Sequence, residues 1–211
     1  FSSRRVTDLV VGASLMSLRI GLVADTHVPE ARHTLWPQVY RAFEGVDYIF
    51  HGGDVHDLAL LSEFEKIAPI YCARGNGEDG SGGRPIQPED DRVRYAWTLE
   101  MEGLVIGLTH YIPADERPPD HTVARWCERY FAEKTPDVIV FGDTHTELIR
   151  NVGGILCVNP GSPTYPHNYD TQFGTLGFLE LDAGKAHASV WLINETGIEP
   201  YDWDHPPKWK L

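Results

Sequence analysis

The chain has 211 residues, 42% hydrophobic and 23% charged, proportions of a folded globular protein rather than a disordered or membrane-embedded one. Its formal net charge of −13 repels a phosphate backbone, which makes long nucleic acid an unlikely partner. No run approaches the roughly 18 apolar residues of a membrane-spanning helix, and the length suits one domain with a sizeable core.

The opening stretch FSSRRVTDLVVGASLMSL places two arginines before a short apolar run, as a signal peptide would, but Asp8 interrupts it and no small-residue cleavage site follows. We expect 1–17 to be an extension, with Met16 the natural start, and 18–211 to be the domain. RIGLVAD (19–25) is an apolar run closing on a polar loop, which predicts a buried strand. Between Ala31 and Glu44, the residues Leu35, Val39, Ala42 and Phe43 share one helical face. A second strand is predicted at YIF (48–50). Asp57 then caps a helix carrying Leu58, Leu61, Phe64 and Ile67. A third strand, IYCAR (70–74), meets GNGEDGSGGRP, which is expected to be loop throughout.

RYAWTLEM and LVIGLTH flank Glu102 and Gly103, a two-residue hairpin signal, so the sheet is not purely parallel. Between His121 and Lys134, Val123, Trp126, Cys127, Tyr130 and Phe131 form a helical stripe. DVIVFGD, TELIR and ILCVN then read as short strands, and GTLGFLELD pairs with AHASVWLI across Ala183 and Gly184. Alternating strand and helix give way to antiparallel strand, which two sheets with helices outside would satisfy. Cys72, Cys127 and Cys157, without CxxC spacing, are expected to be reduced core residues of a cytoplasmic protein.

The polar residues collect at strand ends. Asp25 and His27 follow the first strand, Asp54 the second and Asn76 the third; His110 ends VIGLTH, and Asp143 and His145 follow VIVF. Carboxyl ends of strands in an open α/β sheet line one crevice, so these seven can converge. Carboxylate, imidazole and amide oxygen without thiolate suit Mn²⁺, Fe²⁺, Zn²⁺ or Mg²⁺. The D-x-H spacing of Asp25/His27 recurs at Asp143/His145, as if alternate residues of extended segments faced one site from opposite walls. Singly, each is as well read as a turn residue or a satisfied core histidine; jointly, histidine at so many strand ends favours a metal site.

In this order and at these separations, DTH (25–27), GGD (52–54), GNGE (75–78), TH (109–110), GDTH (142–145) and NPGS (159–162) resemble the calcineurin-like metallophosphoesterase superfamily, in particular its small single-domain prokaryotic phosphodiesterases. The resemblance spans roughly Arg19 to Ile193. It implies a four-layer α/β/β/α sandwich of two mixed sheets around two divalent metal ions about 3.5 to 4 Å apart. By that pattern Asp25, His27 and His145 hold the first metal, Asn76 and His110 the second, and Asp54 bridges. Asp143 stands where the family usually has histidine; we expect it to ligate the second metal and favour Mn²⁺ over Zn²⁺, with Fe, Ni or Mg²⁺ as other occupants. The alternative is a weak or empty second site. Gly77 replaces the histidine that assists the leaving group in related phosphatases, and Glu78 or Asp79 either supports the ligands or is solvated.

The implied reaction is hydrolysis of a small phosphodiester, with phosphomonoesters as an option. A water shared by the two ions loses a proton and attacks phosphorus in line, with Asp54, Asn76 and His110 in the catalytic set. Tyr111, Arg117, His121, Tyr165 and His167 lie on proline-rich loops and are candidate substrate contacts. Two alternatives stand beside this reading. One is a scaffold protein with a degraded site, as in the retromer scaffold subunit, kept open by Asp143; the other is a nuclease, disfavoured by charge. A small anionic phosphoester is the expected partner, membranes are not, and the tryptophans of the tail YDWDHPPKWKL leave a homo-oligomer open.

Overall fold

The computed structural model describes residues 17–211, so the expected extension, apart from Ser17, lies outside the described residues. Two sheets are stacked face to face. The larger runs β12-β11-β10-β1-β2-β3-β4, built from β1 (Leu18–Val23), β2 (Tyr48–His51), β3 (Ile70–Ala73), β4 (Val93–Arg94), β10 (Thr175–Asp182), β11 (Lys185–Ile193) and β12 (Ile198–Pro200). The smaller runs β5-β6-β7-β9-β8, from β5 (Ala96–Met101), β6 (Leu104–Thr109), β7 (Val138–Val140), β8 (Leu148–Val152) and β9 (Ile155–Asn159). Strands β1 to β4 are mutually parallel, as are β6, β7 and β9, while β10 to β12 and both hairpins are antiparallel. Both sheets are therefore mixed.

The period of two along each strand divides the core into three layers. Ile20 and Leu22 of β1, Leu179 and Leu181 of β10, and Val138 and Val140 of β7 meet between the sheets with Phe50, Ile106, Leu108 and Val158. Intervening residues face outward. Val23 and Phe178 join Val39, Phe43, Leu61 and Phe64 beneath α1 (Pro37–Ala42) and α2 (Ala59–Glu65), whereas Ile139 and Cys157 join Val123, Cys127 and Phe131 of the α4 region (α4, Val123–Tyr130). Each such side chain contributes about 1.5–3 kcal/mol by leaving water. The result is helix, sheet, sheet, helix.

Two expectations are corrected. The helix expected from Ala31 begins only at Pro37, whose ring fits the first turn where no amide donor is required, and Leu35 is buried from the preceding loop. The glycine-rich segment is not loop throughout, because Asn76–Asp79 form a short helix, α3, with the Glu78 carboxylate accepting the Gly75 amide at 2.9 Å. Among the described residues no helix is long and apolar enough to cross a membrane. All three cysteines are buried and free, and burial raises each thiol, Cys157 to about 12.

Candidate metal centre

The loops leaving β1, β2, β3, β6 and β7 meet at one edge of the sandwich, and the seven residues read from the sequence come together there. His27 Nε2 lies 3.4 Å from Asp54 Oδ2, and His110 Nε2 lies 3.1 Å from Asn76 Oδ1, 3.4 Å from Asp54 Oδ1 and 3.5 Å from Asp143 Oδ1. His145 Nε2 is 3.9 Å from Asp25 Oδ1. Ligand atoms of Asp25, His27 and His145 lie within 4.8 Å of one another, as do those of Asp25, Asp54 and His110. Asp54 sits between the groups.

The D-x-H segments are not extended, contrary to the spacing argument. Asp25 (φ 52°), His27 (46°), Asp143 (69°) and His145 (57°) all occupy the left-handed region, so each loop doubles back and brings both side chains inward. Such strain persists only where surrounding structure imposes it. NPGS and the residues after it do so: Asn159 Nδ2 donates to Gly142 O at 2.8 Å and Thr144 Oγ1 at 3.1 Å, Ser162 Oγ donates to Asp25 O at 2.7 Å, and Thr164 Oγ1 to Thr26 O at 2.8 Å. The motif is a buckle joining both loops.

The imidazoles are held in one protonation pattern. His110 Nδ1 donates to Gly52 O at 2.7 Å and His145 Nδ1 to Tyr165 O at 2.7 Å. A carbonyl only accepts, so each Nε2 keeps its lone pair for the cluster, the arrangement metal-binding histidines use. Burial, with the charge of His27, lowers His145 to about 4 and keeps it neutral. The carboxylates are frustrated by contrast: burial and then Asp54, with Asp143 and Glu78 adding repulsion, raise Asp25 well above its usual range, and burial raises Asp143. At Asp54 burial is outweighed by the neighbouring His27 and His110 rings and the Gly77 amide, which lower it. Asp25 Oδ2 and His27 Nε2 are buried without a hydrogen-bond partner among the described residues. Buried acids and lone pairs lacking a counter-charge fit divalent cations.

Of the two supporting contributors, Glu78 was left open by the sequence between support and solvation, and His56 was not read from it. Glu78 is buried and accepts the amides of Asp54 (3.1 Å), His56 (2.9 Å) and Gly75 (2.9 Å), fixing the loop that carries Asp54 from behind. Asp79 instead accepts the amide of Ser81 locally. His56 completes a third D-x-H, with Asp54 (φ 54°) and His56 (φ 70°) again left-handed; the repeated spacing was the signal that could have found it. Its ring packs 4.1 Å from that of His27, and its ligand atoms fall within 4.8 Å of those of His27 and Asp54. A Cβ at Gly77 would lie 2.5 Å from His56 Cδ2, so the ring fills the space above Gly77.

Hollows surround the cluster. One of about 230 Å³ is lined by Asn76, His110, Asp143 and aromatic rings. Another of about 270 Å³ adjoins His27 and Tyr165 and holds Arg84, whose guanidinium pairs with Glu30 through Nε at 2.9 Å. A third of about 350 Å³ is bounded by Tyr111, Arg117 and His121. His167 Nε2 pairs with buried Glu147 Oε2 at 2.8 Å and its ring packs near Trp209. The tail is docked there, with Lys210 N donating to Gln172 Oε1 at 3.0 Å.

Two stacked mixed sheets with oxygen and nitrogen donors gathered at the strand tips define an α/β protein with a candidate metal site. Residues 18–184 match the model of the calcineurin-like phosphoesterase superfamily domain, and the chain belongs to that superfamily. It is similar to a probable metallophosphoesterase of Methanothermobacter thermautotrophicus, 31% identical over 81% of this chain and 90% of that protein. A phosphodiesterase of Methanocaldococcus jannaschii is 24% identical over 78% and 94%. The fold is also that of Vacuolar Protein Sorting 29 from Cryptosporidium parvum, with a TM-score of 0.67 at 18% identity, covering 87% of this chain and 95% of that one.

Proposed function

We propose that the protein is a metal-dependent phosphodiesterase acting on small anionic phosphodiesters. The observation that carries this reading is the joint arrangement of Asp25, His27, Asp54, Asn76, His110, Asp143 and His145, with imidazole lone pairs turned inward and buried carboxylates lacking a counter-charge. Asp25, His27 and His145 would hold one ion and Asn76, His110 and Asp143 the other, with Asp54 between them and Mn²⁺ the favoured occupant. Bound divalent ions supply Lewis acidity and a water acidic enough to ionise near neutral pH. The protein's own part is to aim the donors: backbone carbonyls orient His110 and His145, Glu78 holds the Asp54 loop, and Asn159 and Ser162 hold the other two. A diester carries two substituents, and hollows on both sides of the cluster, one beside Asn76 and one beside Arg84, offer each a place. The relative named as a phosphodiesterase supports the same choice.

Chelation should silence turnover of bis(p-nitrophenyl) phosphate and Mn²⁺ should restore it, while Asp54→Asn should lower kcat by at least about a thousandfold with an unchanged melting curve. Turnover indifferent to both treatments would exclude the reading. A second reading, a protein-binding scaffold, is favoured by the likeness to Vacuolar Protein Sorting 29, which extends to the fold alone. Elemental analysis separates the two: near two metal ions per chain supports the hydrolase, and none supports the scaffold.

A further inference from the structure

The hollow of about 230 Å³ beside the second-metal residues has walls the metal chemistry does not require. Trp126 and Tyr130, one helical turn apart on α4, pack with ring centres 4.4 Å apart at 33°, and Tyr111 meets Trp126 edge-on at 5.2 Å and 80°. Tyr95, 56% exposed, stands at the mouth. The core-facing stripe of the same helix is Val123, Cys127 and Phe131, all buried. Trp126 and Tyr130 are half-buried: they pack against that core with part of their surface and line the hollow with the rest.

Asn76, His110 and Asp143 line the same hollow, so a phosphoester bound at the cluster has one substituent beside these rings. The volume falls below that of a drug-sized site and suits a single planar ring system. Stacking on aromatic side chains recognises any nucleobase by its π-face, and tyrosine hydroxyls at the rim can meet ring heteroatoms. Net charge disfavours a long polyanion but not one nucleotide. We infer that this hollow is a nucleobase subsite formed by Trp126, Tyr130, Tyr111 and Tyr95, which makes the substrate a small nucleotide phosphodiester. The inference rests on the phosphodiesterase reading above and deepens it.

Calorimetric titration of Mn²⁺-loaded protein with adenosine 5′-monophosphate and with ribose 5-phosphate isolates the base. The nucleotide should bind roughly 5- to 150-fold tighter, the range one stacked base provides. Trp126→Ala and Tyr130→Leu should each reduce that advantage while leaving ribose 5-phosphate affinity and metal content unchanged; two variants on one helix guard against loss of fold in either. Equal affinities in the wild type, or an advantage surviving in both folded variants, would overturn the subsite. Parallel turnover of bis(p-nitrophenyl) phosphate keeps the two ideas apart. A protein that hydrolyses the diester without base preference loses only the subsite, one that prefers the nucleotide but hydrolyses nothing keeps the subsite and loses the diesterase reading, and one that binds neither phosphate loses both.

Discussion

By the resemblance, Asp143 is one of two positions, with Gly77, at which this chain departs from the family pattern, and its surroundings give that departure a chemical meaning. Its Oδ1 stands 3.5 Å from His110 Nε2, within the reach of a shared ion. Replacing a neutral imidazole by a carboxylate adds negative charge and a hard donor to the second position, which favours Mn²⁺ over Zn²⁺. Asp143→His should shift the preference toward Zn²⁺ by about tenfold, as read by competition between the two ions. On the proposed two-ion reading, His56 would act on the other ion through its ring contact with His27. Its loss in His56→Ala should weaken metal binding by roughly 10- to 100-fold, the range for removing a supporting partner, measured by titration of chelator-stripped protein. At this scale the seven donor types and their strand-end positions were legible in the sequence. The choice between support and solvation for Glu78 was not, because it works through backbone amides that no side-chain pattern reports, and His56 was missed because it looks like a turn residue until its loop folds back.

Short loops carry the site, and their geometry depends on glycine at one point in particular. Gly53 has φ 96°, and a Cβ there would lie 2.5 Å from His110 Nδ1, the atom that hydrogen-bonds Gly52 O. Gly53→Ala should therefore cost roughly 1–3 kcal/mol, the price of one strained backbone position, and displace His110; urea unfolding and metal content would record the two effects. Strands and both hairpins followed from hydrophobic alternation and from Glu102-Gly103 and Ala183-Gly184, whose positive φ values suit two-residue turns. The short strand β12 and the helix α3 did not follow, since three-residue pairing and a single turn among glycines are decided by what packs against them. Pro37 marks where local chemistry overrode a helical stripe that began six residues earlier.

Across the whole molecule, the strand-tip loops are locked by a buried histidine outside the ligand set. His51 accepts the Gly53 amide at Nδ1 (3.1 Å) and contacts Thr26 Oγ1 through Nε2 (3.1 Å), which defines a neutral ring. Burial above all lowers it from 6.5 to about 3. The unfolded chain therefore binds the proton first as pH falls, so the contribution is complete above pH 6.5 and is lost progressively down to about pH 3. Its size is on the order of 4 kcal/mol at the low end of that window. His51→Gln should flatten the acid limb of stability against pH in the metal-stripped protein, checked by denaturant titration from pH 7 to pH 4. Period-two hydrophobicity and the turn dipeptides determined strands and hairpins from the sequence alone, because each depends on neighbours a few residues away, and the ordered motifs pointed by resemblance to the family, its layers and the candidate donors. The left-handed doubling of the D-x-H loops, the buckle of Asn159 and Ser162, the pairing of His167 with Glu147 and the aromatic hollow beside Asn76 were decided only by tertiary structure, because each depends on side chains more than a dozen residues apart being packed against one another.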